Sequence, residues 1–406
     1  MKKVLLGTLA VLTLAACSKD EVVQQNPNDA ISFTATTGKA ISRAADGYCN
    51  KVLPEDFQVW AAAQGKVYFA NEKYVKYNDA ATGVPAVYKY KPSDGVMRYW
   101  PESGTVDFFA TKNAIGTPTF VETSGSTSLS FADYTVEGLV KDQTDFIYAV
   151  NKGASKGDGT TTLNFRHALS QIEFQAKNEN SKIYVVIDGV SVRRVNSKGN
   201  FSVNKATTNN YEATDHKFGT TPVNPDPRDG RCSWTDQNTK ADYDVTFTTA
   251  IPVAASATSL TVTDASGKEY NENTMYLLPQ TLEPWKHSDG AAAAAGQEKS
   301  YFIVNALIYN VAAGTFNPTD DIVVWGVNDS GTWKSKPIAI PVPATTWEDG
   351  KRYVYTFVFT TDGNGGYDPE HNTPVLTPIK LSVTVDDFVD AGNSDVNMGD
   401  KTVPAP

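Results

Sequence analysis

Cys17 is the residue with the clearest chemistry in this sequence. It closes Leu14-Ala15-Ala16-Cys17, small residues ending in a thiol. In that pattern a diacylglyceryl group is attached to the sulfur and a peptidase then cuts before it. Upstream stand the positive Met1-Lys2-Lys3 and an apolar run from Val4 to Leu14. An apolar run this short cannot cross a hydrocarbon core of about 30 Å, and its flanks are those of a signal peptide. The expectation is a bacterial lipoprotein lipidated at Cys17 and tethered by acyl chains rather than by a helix. The alternative is an ordinary secretory signal that happens to contain a cysteine.

No other group of residues points to catalysis. The histidines, His167, His216, His287 and His371, are widely separated, and none stands in a His-x-x-His, His-Glu-x-x-His or Cys-x-x-Cys context. There is no Gly-x-Ser-x-Gly elbow. The acidic pairs Asp320-Asp321 and Asp386-Asp387 read as solvated strand ends. Asp362, Asn364 and Asp368 are faintly like a calcium loop, but the rest of that pattern is missing and a hairpin connection is the simpler reading. A hydrolase reading therefore lacks its nucleophile, base or metal, and the expectation is a protein with no catalytic residues, metal or cofactor.

Two cysteines are left after lipidation, Cys49 and Cys232. Outside the cytoplasm they form a candidate disulfide, with two unpaired thiols as the equal alternative. Trp60, Trp100, Trp325 and Trp347 lie in or beside apolar runs and are read as core. Trp234 and Trp285 stand in polar, turn-rich surroundings, so they are the candidates for exposure and for stacking on a glycan. The net charge of −10 argues against a nucleic-acid partner and is a poor match for an anionic membrane surface.

The elements that must position these residues are strands. Leu381, Val383 and Val385 alternate with Ser382, Thr384 and Asp386, a half-buried strand. Tyr353, Tyr355, Phe357 and Phe359 share one face while Val354, Thr356, Val358 and Thr360 share the other, which predicts a central strand. Tyr301 to Val311 and Ile322 to Val327 read the same way. Ile183, Val185 and Ile187 alternate up to Asp188-Gly189, where a turn is expected. Between Leu163, Phe165 and Ile172, Phe174 the apolar phase slips, which predicts a bulge or bend near Ala168-Leu169. Ala291 to Ala295 is bracketed by glycines and reads as a loop. With 29 Gly and 21 Pro placed mostly between apolar runs, an all-β sandwich plan is expected. The partition is a signal peptide over 1–16, a lipidated propeptide over 17–43, an N-terminal β-sandwich over 44–158 and a C-terminal β-sandwich over 159–406.

A series of blocks along the chain resembles the fimbrillin family, the pilins of type V pili, particularly its Mfa-like and FimA-like members. The blocks are Cys17 to Glu21, whose charged follow-on Ser18-Lys19-Asp20-Glu21 resembles a surface-export signal of lipoproteins; Ile31-Ser32-Phe33 with Arg43 downstream; Arg98-Tyr99-Trp100-Pro101; Val106 to Ala110; Leu163 to Phe174; Tyr276 to Gln280; Gly350 to Tyr355; and the final strand from Leu381 to Phe388. Val385-Asp386-Asp387-Phe388 departs from relatives that carry Trp there, but keeps an aromatic anchor.

The resemblance implies two tandem transthyretin-like β-sandwiches and a function in assembly, not catalysis. The lipoprotein precursor would reach the outer membrane and cell surface. An Arg-specific protease would cut between Arg43 and Ala44, with Lys39 as the site for a less strict enzyme. The segment removed would include a first strand carrying Ile31, Phe33 and Ala35. A C-terminal segment of another subunit, with Leu381, Val383, Val385 and Phe388 at suitable spacing, would fill the vacated groove and build a pilus (fimbria). The alternative for those residues is an ordinary last strand. The alternative for the whole chain is a non-polymerising surface lipoprotein, an anchor or tip adhesin that binds a glycan or host protein.

The residues themselves fit this. Ile31, Phe33 and Ala35 alternate with Ser32, Thr34 and Thr36, so one face could plug a groove. Arg43 stands in the polar, small-residue stretch Ser42 to Asp46 that a protease can enter.

Overall fold

A computed structural model describes residues 29–37, 54–78, 88–123, 126–204, 232–260, 273–312, 314–362 and 365–387. Cys17, Arg43, Ala44, Cys49 and Phe388 lie outside them. The described residues form an all-β fold. Helical structure among them is confined to short 3-10 turns, such as Val140–Asp142, and no helix there is long and apolar enough to cross a membrane.

The first nine strands are β1 (Phe33–Thr37), β2 (Asp56–Ala63), β3 (Lys66–Asn78), β4 (Tyr88–Pro92), β5 (Val106–Lys112), β6 (Pro118–Thr123), β7 (Ser126–Thr135), β8 (Ile147–Ala154) and β9 (Thr161–His167). Seven of them close a barrel in the order β1-β4-β3-β2-β5-β8-β9. Closure leaves no free edge, so every barrel strand is held on both sides.

The remaining strands are β10 (Ser170–Asn178), β11 (Ile183–Asn204), β12 (Cys232–Pro252), β13 (Thr258–Ser259), β14 (Met275–Leu277), β15 (Gln280–Thr281), β16 (Tyr301–Asn310), β17 (Ile322–Trp325), β18 (Val327–Asp329), β19 (Thr332–Lys334), β20 (Lys336–Pro341), β21 (Thr346–Trp347), β22 (Lys351–Phe359), β23 (Gly365–Tyr367) and β24 (Pro374–Asp387). The larger sheet runs β13-β10-β22-β24-β23-β20-β16-β11-β7-β6, with β12, β14 and β17 attached at its side. As the two-faced apolar pattern predicts, β22 is central, flanked by β10 and β24.

Four expectations change. The run from Ile322 to Val327 is not a central strand: β17 ends at Trp325, pairs with β16 alone, and Ile322 and Val327 are exposed. The phase slip at Ala168-Leu169 is a change of sheet: β9 belongs to the barrel, paired with β1 and β8, while β10 pairs into the larger sheet. The barrel therefore extends past residue 158. Asp188-Gly189 does not turn the chain. β11 continues through it with a bulge, registered as a shift between Ile187 and Gly189 against both β12 and β16. A Cβ at Gly189 would lie 2.8 Å from the Val245 carbonyl oxygen, so the glycine permits a close strand approach. Finally, the partition by sequence is not a partition of sheets. β11, 22 residues long, pairs with β16 near its start and with β7 near its end, so one sheet takes strands from both sides of that partition.

Candidate strand-replacement site

The seam between β4 and β9 is occupied by β1, which runs antiparallel to β4 and parallel to β9. The register sets Phe33 opposite both Tyr90 and Thr161, and Thr37 opposite Phe165. The alternation read from the sequence sets the faces. Ile31 and Phe33 have no exposed surface and Ala35 is buried, whereas Ser32 and Thr34 are half-buried. The Phe33 ring meets Tyr74 edge-on at 4.9 Å and Phe108 edge-on at 5.0 Å, with Phe57 at 6.4 Å. Leu163 and Phe165 of β9 belong to the same cluster. Full burial of a large apolar side chain stabilises a fold by about 2 kcal/mol, so Ile31 and Phe33 are a substantial share of the barrel core.

Backbone bonds extend this seam beyond β1. Ile31 N–H donates to the Arg98 carbonyl at 2.7 Å, Trp100 N–H to the Asp29 carbonyl at 3.0 Å, and Thr161 N–H to the Ser32 carbonyl at 3.0 Å. The outward face is held weakly, by a hydroxyl pair between Thr34 and Thr162 at 3.2 Å and by Lys156–Asp29 at 2.7 Å. Such exposed contacts contribute little. Core filling, not surface bonding, is what β1 supplies. Burial also pushes the phenols of Tyr74 and Tyr90 well above their usual range. The Tyr90 hydroxyl donates to the Pro54 carbonyl, while the buried Tyr74 oxygen has no hydrogen-bond partner.

The C-terminal strand is built differently. β24 pairs antiparallel with β22 from Ile379↔Phe359 to Asp387↔Lys351. Leu381, Val383 and Val385 are half-buried against the larger core. β23 meets β24 at Gly365↔Ile379 and Tyr367↔Pro374, so beyond Ile379 the described strand is paired on the β22 side alone. In this structure the candidate donor residues are thus an ordinary strand of the chain's own sheet. The base of β24 is fixed by Asp368. It accepts hydrogen bonds from the N–H groups of Glu370 and His371 and from Lys336 Nζ at 2.6 Å. Burial alone would raise its carboxyl, but these donors together hold it well below the usual carboxylate range.

Other sequence-selected residues are structural. Trp285 is fully buried, not exposed: its indole N–H donates to the Gly290 carbonyl, and it packs in a cluster with Ala292, Tyr301, Ile303 and Ala339. Trp234 is half-buried, donates to the Ala168 carbonyl at 2.8 Å, and packs edge-on against Tyr134, Phe146 and Phe201. Trp285 offers no face to a sugar, and Trp234 is left with part of its surface exposed. The polar sequence neighbours of Trp285 are loop residues, those of Trp234 are outward-facing residues of β12, and most of the apolar partners come from distant strands. The exposed indole is Trp333 in the β18–β19 hairpin, which the sequence reading passed over. Cys232 is a free thiol, its pKa raised by burial and by Asp349, whose carboxylate lies 3.4 Å from the sulfur. His167 Nδ1 lies 2.6 Å from Asp145 Oδ2. Asp321 accepts the N–H groups of Ala312 and Asn317, closing a turn. Among the described residues no cluster of His, Cys, Asp or Glu could hold a metal ion.

Comparison with known proteins decides the family. The family model described as fimbrillin-like matches residues 26–387, which takes in β1 at one end and β24 at the other. The chain belongs to the fimbrillin-like family. No curated protein matches it. Among solved structures, a fimbrial protein from Bacteroides vulgatus ATCC 8482 is 13% identical, with a TM-score of 0.46 over 88% of this chain and 99% of that one. A candidate cell adhesion protein from Bacteroides uniformis ATCC 8492 is 12% identical, with a TM-score of 0.40 over 90% and 100%. Membership in the fimbrillin-like family supports a role as a pilus subunit or in adhesion at the cell surface.

Proposed function

We propose that this fimbrillin-like chain is a structural subunit of a cell-surface pilus that polymerises by exchange of its first strand. The precursor is lipidated at Cys17 and held in the outer membrane. An Arg-specific protease cuts after Arg43 and β1 leaves with the propeptide. A C-terminal segment of a neighbouring subunit then takes its place between β4 and β9.

One observation carries this reading: a five-residue strand that precedes Arg43 in the sequence closes a barrel, and together with Ile31 just ahead of it buries Phe33 and Ala35 in the barrel core. Its loss would open the barrel, leaving two unpaired edges and an aromatic cavity. Strand addition from a second molecule restores both the main-chain bonds and the side-chain filling. The contact is head-to-tail and does not close on itself, so it propagates as a filament.

The test is treatment of the full-length chain with an Arg-specific protease. N-terminal sequencing is expected to give Ala44, together with oligomers that resist dissociation, and Arg43→Ala is expected to stay monomeric. Normal assembly of Arg43→Ala would refute the reading.

A further inference from the structure

The strand slot has a direction, and two segments that border one of its ends carry exposed apolar side chains. β1 enters the barrel at Ala30, which bridges to Tyr99, and runs parallel to β9 from there. Two segments border this entrance. One is Asp94–Trp100, whose Arg98 and Trp100 backbones hold Ile31 and Asp29. The other is the start of β3, tied to the first by Tyr68 Oη donating to the Tyr99 carbonyl at 2.6 Å. On these segments Val67, Tyr68, Val96 and Met97 are exposed, four of the ten large hydrophobic residues exposed among the described residues. None fills the slot. Val96, at 56% exposed, sits with Met97 just ahead of Arg98, whose guanidinium is committed to Glu72 at 2.7 Å. The segment is therefore pinned while its apolar side chains face outward. Grouped exposure of this kind marks a surface that meets another protein.

We infer that this entrance is the body-to-body contact between successive subunits, and that its occupant is a second copy of this chain. The inference rests on the strand-replacement reading above. A strand that reproduces the bonding of β1, parallel to β9 and antiparallel to β4, must enter at the Ala30–Tyr99 end. A strand donated from a C-terminal region follows its own folded body. That body must then stand outside the entrance, over Val67, Tyr68, Val96 and Met97. Strand polarity and the apolar patch select the same end of the barrel. The contact adds apolar burial to the strand exchange and sets the angle between neighbours. A donor running in the opposite sense would place the neighbour at the far end and leave the patch bare.

The test uses the full-length chain cut by an Arg-specific protease. Val96→Glu/Met97→Glu places two charges at the entrance without touching the slot. Val121→Glu, on the edge strand β6, places a charge on another exposed apolar residue as a control. Polymer growth is followed by light scattering. Capture of a synthetic peptide covering residues 29–37 is measured in parallel, as a readout of an intact slot. The double variant is expected to capture the peptide like wild type but polymerise about 10-fold more slowly, and Val121→Glu is expected to polymerise normally. Equal polymerisation of the double variant and wild type overturns the inference, as does an equal loss in Val121→Glu. A double variant that no longer captures the peptide also overturns it, because the residues then serve the slot. Failure of cleaved wild type to polymerise at all would instead sink the strand-replacement reading.

Discussion

β1 and β24 are both strands near the limits of the described chain, and both alternate apolar with polar residues, yet they do opposite work. β1 is five residues long and carries side chains with essentially no exposed surface into an aromatic core. β24 spans 14 residues and pairs with β22 along nine of them; Val375 and Ile379 near its start are buried, while the candidate donor side chains Leu381, Val383 and Val385 are only half-buried. The first supplies packing with little backbone; the second supplies backbone pairing with modest packing. A short, tightly packed plug leaves a defined cavity when removed, and that cavity can select a replacement. The half-buried stretch beyond Ile379 is held by its ladder, and its loss would expose an edge rather than a shaped hole.

The contrast is open to mutation. Phe33→Ala in the uncut precursor removes the ring from among Tyr74, Phe108 and Phe57. It should cost about 3–5 kcal/mol, read as a shift in denaturant midpoint at constant slope. A loss below about 1 kcal/mol would mean that β1 is not a core element. Asp368→Asn, which leaves Lys336 without its partner at the base of β24, should cost about 2 kcal/mol, less than for a fully buried pair because Lys336 is partly exposed.

That effect also has a pH signature. The carboxyl is depressed in the folded state, so its stabilisation is complete above the unfolded value of about 3.9 and is lost as pH falls through the lower folded value. With His371, whose imidazole lies 3.2 Å from the carboxylate, replaced by Asn in both proteins, the gap between parent and Asp368→Asn should be constant from pH 8 to pH 5 and narrow in stronger acid. A gap that widened on acidification would contradict the assignment.

Val383→Ala trims a half-buried side chain and should cost about 1 kcal/mol. If it matched Phe33→Ala, the proposed difference between the strands would disappear. Trp333→Ala, on an exposed hairpin, should stay within about 0.5 kcal/mol, measured by the same denaturation.

Local pattern made part of this legible in the sequence. Period-two alternation identified the buried face of β1, the half-buried face of β24 and the two-sided burial of β22, because strand side chains alternate regardless of what they meet. What the sequence did not carry was long-range pairing. The parallel partnership of β1 with β9 joins residues 128 positions apart, as in the Thr34–Thr162 pair, and no local signal encodes it. The slip at Ala168-Leu169 was visible, but a bulge and a change of sheet shift the phase alike. Gly189 looked like a turn because glycine serves turns and close strand approaches equally. Trp285 was misread because its neighbours in sequence are polar loop residues while its neighbours in space, such as Ile303 and Ala339, come from strands further along. The exposed residues at the slot entrance could not have been found from periodicity, since Val96 and Met97 lie in a loop.

The central claim is that β1 is a temporary part of the barrel. A cryo-electron microscopy map of assembled filaments tests it directly, through the identity of the strand between β4 and β9. The account predicts a strand continuous with a neighbouring subunit, running parallel to β9, with Phe33 gone from its pocket. Filaments in which Phe33–Thr37 of the same chain still fills that position would contradict it.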